Sequence, residues 1–121
     1  MKRVIKFRIW SNLLNEWLTN YEIIQHNPYA ITINHIFNYI DVIEGDIVYQ
    51  QYTGINDING GEIYEGDIIQ RQPSFGQVYE CIYSLDESAY ILKYSNDFIY
   101  LSDFENLQII GNIFENPELL K

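Results

Sequence analysis

Cysteine is nearly absent from this 121-residue chain: Cys81 stands alone, so no disulfide can close within it. Positive charge is almost as scarce, with seven Lys and Arg against seventeen Asp and Glu, a net charge of −10. Four of the seven cations, Lys2, Arg3, Lys6 and Arg8, fall in the first ten residues. From residue 11 onward three cations face seventeen acids, a net of −14. Direct nucleic-acid binding is thereby disfavoured, because affinity for phosphate backbones comes mainly from Lys and Arg displacing counterions. No apolar run approaches the roughly 18 residues a membrane span needs. Lys6 and Arg8 interrupt the apolar start, so it does not read as a signal peptide, and the cytosol is the expected location. No Walker pattern occurs, and Gly60-Gly61 leads into a strand pattern where a phosphate cradle requires a helix.

What the chain does have is apolar and aromatic bulk. Hydrophobic residues make up 47% and aromatics 16%, with eleven Tyr, enough to supply a packed interior and too much for a disordered segment. The pattern is one of short strands. Residues 3 to 10 alternate, Ile5, Phe7 and Ile9 on one face and Lys6 and Arg8 on the other, which predicts a half-buried strand with a solvated basic face. Trp17, Thr19, Tyr21 and Ile23 alternate again beyond the turn formers Ser11 to Asn15, so a hairpin is expected over residues 3 to 24, ended by Gln25-His26-Asn27-Pro28. In the stretch 29 to 43, Ile31, Thr32 and Ile33 favour a strand whereas Ile33, Ile36, Phe37 and Ile40 have helical spacing. An extended entry followed by a short helix is the reading.

Further strands are expected over Asp46 to Tyr52, Ile63 to Tyr64, Asp67 to Arg71, Gly76 to Tyr83, Tyr90 to Tyr94 and Leu107 to Phe114. Between them Asp57-Ile58-Asn59-Gly60-Gly61, Pro73-Ser74-Phe75-Gly76, Asp86-Glu87-Ser88 and Ser95-Asn96-Asp97 are reversals. Ser102 with Glu105 fits a capping box, and Asn116-Pro117 a helix start, each opening one helical turn. Gly54 and Gly66 suit tight bends, Asp67 can cap the turn before its strand, and Gly111 suits a close backbone approach. The fold class is mainly β with minor α, divided into an N-terminal segment of residues 1–45 and a barrel of residues 46–121.

Three stretches carry a resemblance. The opening Ile5-Lys6-Phe7-Arg8-Ile9-Trp10, the run Gln51-Tyr52-Thr53-Gly54-Ile55-Asn56-Asp57-Ile58-Asn59-Gly60-Gly61-Glu62-Ile63-Tyr64-Glu65-Gly66-Asp67-Ile68-Ile69 and the tail Ile109-Ile110-Gly111-Asn112-Ile113-Phe114-Glu115-Asn116-Pro117-Glu118-Leu119-Leu120 resemble, in that order, the YopX family of phage and prophage proteins. Gly61 departs from the Lys or Arg common there, and residues 25 to 46 carry none of the likeness. The resemblance implies a C-terminal SH3-like barrel behind an N-terminal segment that contains a β-hairpin, and a phage or prophage origin. That origin would put the protein in the cytoplasm of a bacterial host. It supplies no catalytic residues.

The residues themselves point away from catalysis. His26 and His35, nine apart, match neither a helical metal pair nor a zinc finger. Asp57 to Gly61 has the start of a calcium loop, but Ile68 stands where the twelfth-position carboxylate belongs. Cys81, inside the alternation Val78 to Tyr83, reads as a small packed residue. No enzyme activity, cofactor or metal is expected. The acids that draw notice are the i, i+2 pairs Glu44 with Asp46, Glu65 with Asp67 and Asp103 with Glu105, about 6.6 Å apart on an extended chain, a spacing that can imitate phosphates. Tyr52, Tyr64, Tyr90 and Tyr94 stand out among the tyrosines of the barrel strands, either as an exposed contact patch or as a ring around the core with hydroxyls at its rim. Together these give an acidic, non-catalytic module that binds a protein partner, in its sharpest form an inhibitor of a host nucleic-acid-binding or defence protein. Glu65, Asp67, Asp103, Glu105, Tyr52, Tyr64, Tyr90 and Tyr94 are its candidate contacts. The alternative is an assembly module that homo-oligomerises through tyrosine-rich faces.

Overall fold

The computed structural model describes residues 5–18, 21–26, 31–35, 39–42, 47–72 and 76–121, and the strands between residues 21 and 42 through their backbone pairing. The chain is mainly β, its helical content among the described residues confined to short 3₁₀ turns. It separates into two compact units, one of residues 7–50 and one of residues 1–6 with 51–121. The sequence reading had placed a division after residue 45.

In the unit 7–50, β1 (Phe7–Ser11) pairs antiparallel with the two-residue β2 (Glu16–Trp17), in the register Trp10↔Trp17 and Ser11↔Glu16. The buried Ser11 hydroxyl accepts the Leu14 N–H at 2.9 Å, and Asn15 takes the left-handed conformation, φ 56°, which Asn tolerates better than most residues. The expected alternation of this strand is not kept: Lys6 is exposed, while Arg8 and Ile9 are both half-buried. Ile5 and Phe7 are exposed, at 62% and 55%, whereas Trp10 is buried. Arg8 lies over the Trp17 ring at 4.4 Å, and its Nε donates to Gln50 Oε1 at 2.9 Å. Long cationic stems cover aromatic surface as well as aliphatic side chains do, so charge alone did not identify the solvent face.

The hairpin expected over residues 3 to 24 is also corrected. Only β1 and β2 form it, and β3 (Tyr21–His26) instead opens a separate sheet of order β3-β4-β5, with β4 (Ile31–His35) and β5 (Tyr39–Val42). The helix expected before residue 43 is a strand pair. Ile33 and Ile40, whose spacing had looked helical, are register partners across β4 and β5. A hairpin with a three-residue connection places apolar residues at the same separations as a helix turn does, and β-branched density decides between them. Residues 36–38, on which the remainder of that reading rested, lie outside the described residues.

The other unit holds the end of β6 (Ile47–Asn56), β7 (Glu62–Tyr64), and a curled antiparallel sheet of order β11-β10-β9-β8-β12. Its strands are β8 (Asp67–Arg71), β9 (Val78–Ser84), β10 (Ala89–Tyr94), β11 (Asp97–Tyr100) and β12 (Leu107–Asn112). All were expected except β11, hidden because Ser95 and Asn96 make the whole turn and leave a four-residue edge strand. Ile63, Ile69, Tyr79, Cys81, Leu92, Leu101 and Leu107 form one buried cluster, with Cys81 fully enclosed as a packed residue.

Both helical turns exist, but neither is capped as expected. The first spans Leu101–Asp103, so Ser102 lies inside it, Tyr100 is its N-cap and no side chain bonds there. The second, Pro117–Leu120, does start after Asn116, yet the Asn116 side chain accepts the Asn112 N–H at 3.2 Å instead of capping its own turn.

Candidate functional site

On β9 and β10 the register sets Cys81 opposite Leu92 and, two residues nearer the connecting turn, Tyr83 opposite Tyr90. Alternation puts both pairs on one face, so the tyrosines continue the core face beyond the point where the core ends. Their rings meet edge to face at 5.1 Å, and Tyr83 stays 43% exposed. Beside them the four-residue turn Tyr64–Asp67 delivers Glu65. Gly66, at φ 84°, makes that turn possible, its N–H donating to the Cys81 carbonyl at 2.8 Å while its own carbonyl accepts from Ile113. Glu65 is then held twice by Gln51: its N–H donates to the Gln51 carbonyl at 3.0 Å, and its Oε1 accepts the Gln51 N–H at 2.9 Å.

Gln51, Glu65, Tyr83 and Tyr90 line a recess of about 300 Å³. Among the described residues that line it are one carboxylate and two phenols. A second recess of about 240 Å³ includes Tyr94, Glu80, Lys93 and Leu120, but there Lys93 and Glu80 are register partners and the charges balance. The first brings together two of the candidate contacts, Glu65 and Tyr90.

Of the eight candidate residues, then, Glu65 and Tyr90 come together, joined by Tyr83, which belongs to the same set of tyrosines but was not singled out. The rest serve elsewhere. Asp67 is buried and its Oδ2 accepts the Tyr64 N–H at 2.8 Å, so it caps its turn and cannot extend an anionic row with Glu65. Tyr52 is buried against Tyr64 at 5.6 Å and donates to Asn56 Oδ1, which removes it from any exposed patch. Tyr94 packs edge to face on Tyr79 at 5.1 Å. Asp103 and Glu105 are exposed, on either side of the half-buried Phe104, over which the Arg71 guanidinium lies at 4.3 Å. Asp103 closes the 3₁₀ turn, so this pair is not on one extended run; Glu44 and Asp46 lie outside the described residues. The tyrosines divide between both roles weighed for them, with Tyr79 in the core and Tyr83 and Tyr100 exposed.

Asp57 was read only as part of a turn. Its carboxylate accepts three backbone N–H groups, those of Asn59 at 3.0 Å, Gly61 at 2.8 Å and Ile109 at 3.0 Å. Converging donors are the opposite of what a cation needs, and they fit the reversal read from the sequence. No group of three or more His, Cys, Asp and Glu suited to a metal occurs among the described residues. The two histidines stand at opposite ends of the β3–β4 ladder, His26 opposite Ile31 and His35 opposite Tyr21.

At the edge of the sheet the exposed Tyr100 hydroxyl donates to Glu87 Oε2 at 2.5 Å. That hydrogen bond, then burial and the Glu87 charge, raise the phenol's pKa above its ordinary 10.0. A raised folded pKa means the contribution to stability is complete below pH 10 and is lost as pH climbs through the raised value. Glu87→Gln should return the Tyr100 transition towards 10.0, read by ultraviolet difference titration with Tyr100→Phe as the blank; an unmoved transition would refute the assignment.

The model of the family described as "YopX protein" matches residues 6–121. The chain belongs to the YopX family. Among solved structures, protein EF1440 from Enterococcus faecalis is similar, 25% identical with a TM-score of 0.67, the match covering 99% of this chain and 100% of that one. Protein YopX from Bacillus subtilis is similar in fold, 15% identical with a TM-score of 0.57 and 95% of each chain covered. Among curated proteins none matches. The YopX match includes every residue of the recess, and the long central motif supplies Gln51, Glu65 and Gly66. Tyr83 and Tyr90 come from outside the motifs that carried the resemblance. No helix among the described residues is long and apolar enough to cross a membrane.

Proposed function

We propose that this YopX-family chain is a non-catalytic, acidic protein-binding module of phage or prophage origin, whose partner is a basic, nucleic-acid-binding protein of the bacterial host. The supporting observation is how the charges are disposed in the unit that includes residues 51–121. Among its described residues Asp86, Glu87, Asp97, Asp103, Glu105, Glu115 and Glu118 are exposed, against Lys6, Lys93 and Lys121. Lys6 is already closed by Glu62 at 2.6 Å, and Arg71 is folded onto Phe104. Two of the unit's described cations are thus engaged within it, and the exposed carboxylates outnumber the exposed cations, a surface that steers towards positive partners and away from nucleic acid.

The test is affinity capture from a bacterial lysate, followed by binding measurements on the purified captured proteins at low and high salt. The comparison variant is Asp86→Lys/Asp103→Lys/Glu105→Lys, which alters only exposed positions. Basic nucleic-acid-binding proteins should be retained by the wild type, released by salt, and bound at least tenfold more weakly by the variant, a loss of about 1.4 kcal/mol. Equal binding by wild type and variant at both salt concentrations would remove the electrostatic reading.

A further inference from the structure

The outer edge of β11 is open, and we infer that the partner protein docks there by laying down one extended segment, in which Lys or Arg alternates with apolar side chains, as a further strand of the sheet. The inference rests on the protein-binding reading and deepens it, because it names the form in which the partner's positive charge arrives.

The five-stranded sheet has two edges, β12 and β11, and they are finished differently. Along β12 the loop of residues 57–61 closes outward groups: the Leu107 carbonyl accepts the Ile58 N–H at 2.9 Å, and the Ile109 N–H donates to Asp57 Oδ2 at 3.0 Å. No strand or loop among the described residues does this for β11. The two-residue connection makes Tyr94 and Asp97 a hydrogen-bonded pair, so alternation turns the backbone groups of Phe98 and Tyr100 away from β10. Tyr100 is also the N-cap of the turn Leu101–Asp103, which takes its carbonyl. Both groups of Phe98 and the Tyr100 N–H are left facing outward. The ladder to β10 runs through four consecutive pairs without a shift, and β11 holds neither Pro nor Lys, so the usual guards of an edge are missing.

The side chains say what fits. Phe98 and Tyr100 share one face, their rings edge to face at 5.5 Å, and they are 39% and 37% exposed. Apolar side chains of an added strand would lie beside them, and the intervening ones beside Asp97 and Ile99. Charge then selects the occupant. Asp97 opens the strand, Asp103 closes the turn after it, and both are exposed, whereas β10 and β11 together hold one cation, Lys93 on the inner strand. A second copy paired antiparallel would set the Asp97 end of each strand against the Asp103 end of the other, and like charges so placed repel. A strand carrying Lys or Arg meets the same positions with attraction.

The experiment uses the full chain and the peptide acetyl-Thr-Arg-Val-Lys-Val-Arg-Thr-amide, followed by backbone amide shifts and amide hydrogen exchange. One control is N-methylated at both Val residues, which keeps the charge and removes two ladder donors; the other has Glu for each Arg and Lys. The basic peptide should give saturable shifts centred on β11 and slow exchange at the Phe98 and Tyr100 amides about tenfold or more, while Asp97 and Ile99, already bonded to β10, change little. N-methylation of the peptide and Asp97→Lys in the protein should each weaken binding about tenfold.

The controls separate this failure from that of the parent reading. If both basic peptides bind equally and the Phe98 and Tyr100 amides exchange as before, edge pairing is wrong and the acidic surface stands. If neither basic peptide binds at low salt, both fall. A Glu peptide that binds as tightly as the basic one overturns the basic partner, and protection of Phe98 and Tyr100 that grows with protein concentration, without peptide, gives the edge to a second copy.

Discussion

Asp57→Ala is expected to cost about 3 kcal/mol in urea denaturation, a large part of the stability of a domain this size. The carboxylate is the one acceptor for three N–H groups, two in its own loop and one, that of Ile109, 52 residues away on β12. Hydrogen bonds to a charged group contribute roughly 1.5–3 kcal/mol each, and the half-buried position of Asp57 lets water recover part of that sum. The backbone adds a second tie, from the Ile58 N–H to the Leu107 carbonyl at 2.9 Å, which depends on the loop keeping its shape. Asp57→Asn should cost less, about 1–2 kcal/mol, because one side of the amide still accepts while its NH₂ opposes an N–H. Losses under 1 kcal/mol for Asp57→Ala would mean that the loop closes without the carboxylate.

That residue also shows where the sequence was legible and where it was not. Asp57-Ile58-Asn59-Gly60-Gly61 announces a reversal through Asn-Gly, and Gly60 does adopt φ 83°. The partner on β12 is a tertiary fact that no local pattern encodes. The strands β6 to β10 and β12 were readable because alternation and turn residues agree over each of them. In β1 those signals conflicted, since Arg8 packs on an aromatic ring while Phe7 is exposed. Between residues 31 and 42 the helical and extended patterns coincide in spacing, and only the pairing of Ile33 with Ile40 separates them.

The candidate site was half legible for the same reason. Glu65 stood out by its motif and Tyr90 by its place on a strand. Their meeting with Tyr83 follows from a register, and register is set by the turn at residues 84–88, where Ser88 takes φ 52°. A one-residue slip would send Tyr83 to the opposite face. Asp67 failed as a surface acid because a carboxylate two residues after Glu65, with a positive-φ glycine between them, faces back into its own turn.

Gly111→Ala is the second large effect, expected at about 2 kcal/mol. Gly111 pairs with Ile68 just past the bulge that leaves Ile110 unpaired, and a methyl group there would stand 2.7 Å from Asn116 Oδ1, 2.8 Å from its Cγ and 2.9 Å from its Cβ. These are contacts that real side chains avoid, and the Cβ is not a flexible end that can swing away. Asn116 is fixed by two bonds to Asn112, its N–H to the Asn112 carbonyl at 2.9 Å and its Oδ1 from the Asn112 N–H at 3.2 Å. Relief must come from releasing the segment after residue 112. Leu119 and Leu120 are exposed, so that segment is held lightly and the cost has a ceiling. Amide exchange over residues 113–121 should therefore accelerate more than exchange in β9 and β10. Asn116→Gly removes all three offending atoms, and in a double-mutant cycle it should cancel at least about 1 kcal/mol of the Gly111→Ala penalty. Strict additivity of the two substitutions would show that the close approach is not what demands glycine at this position.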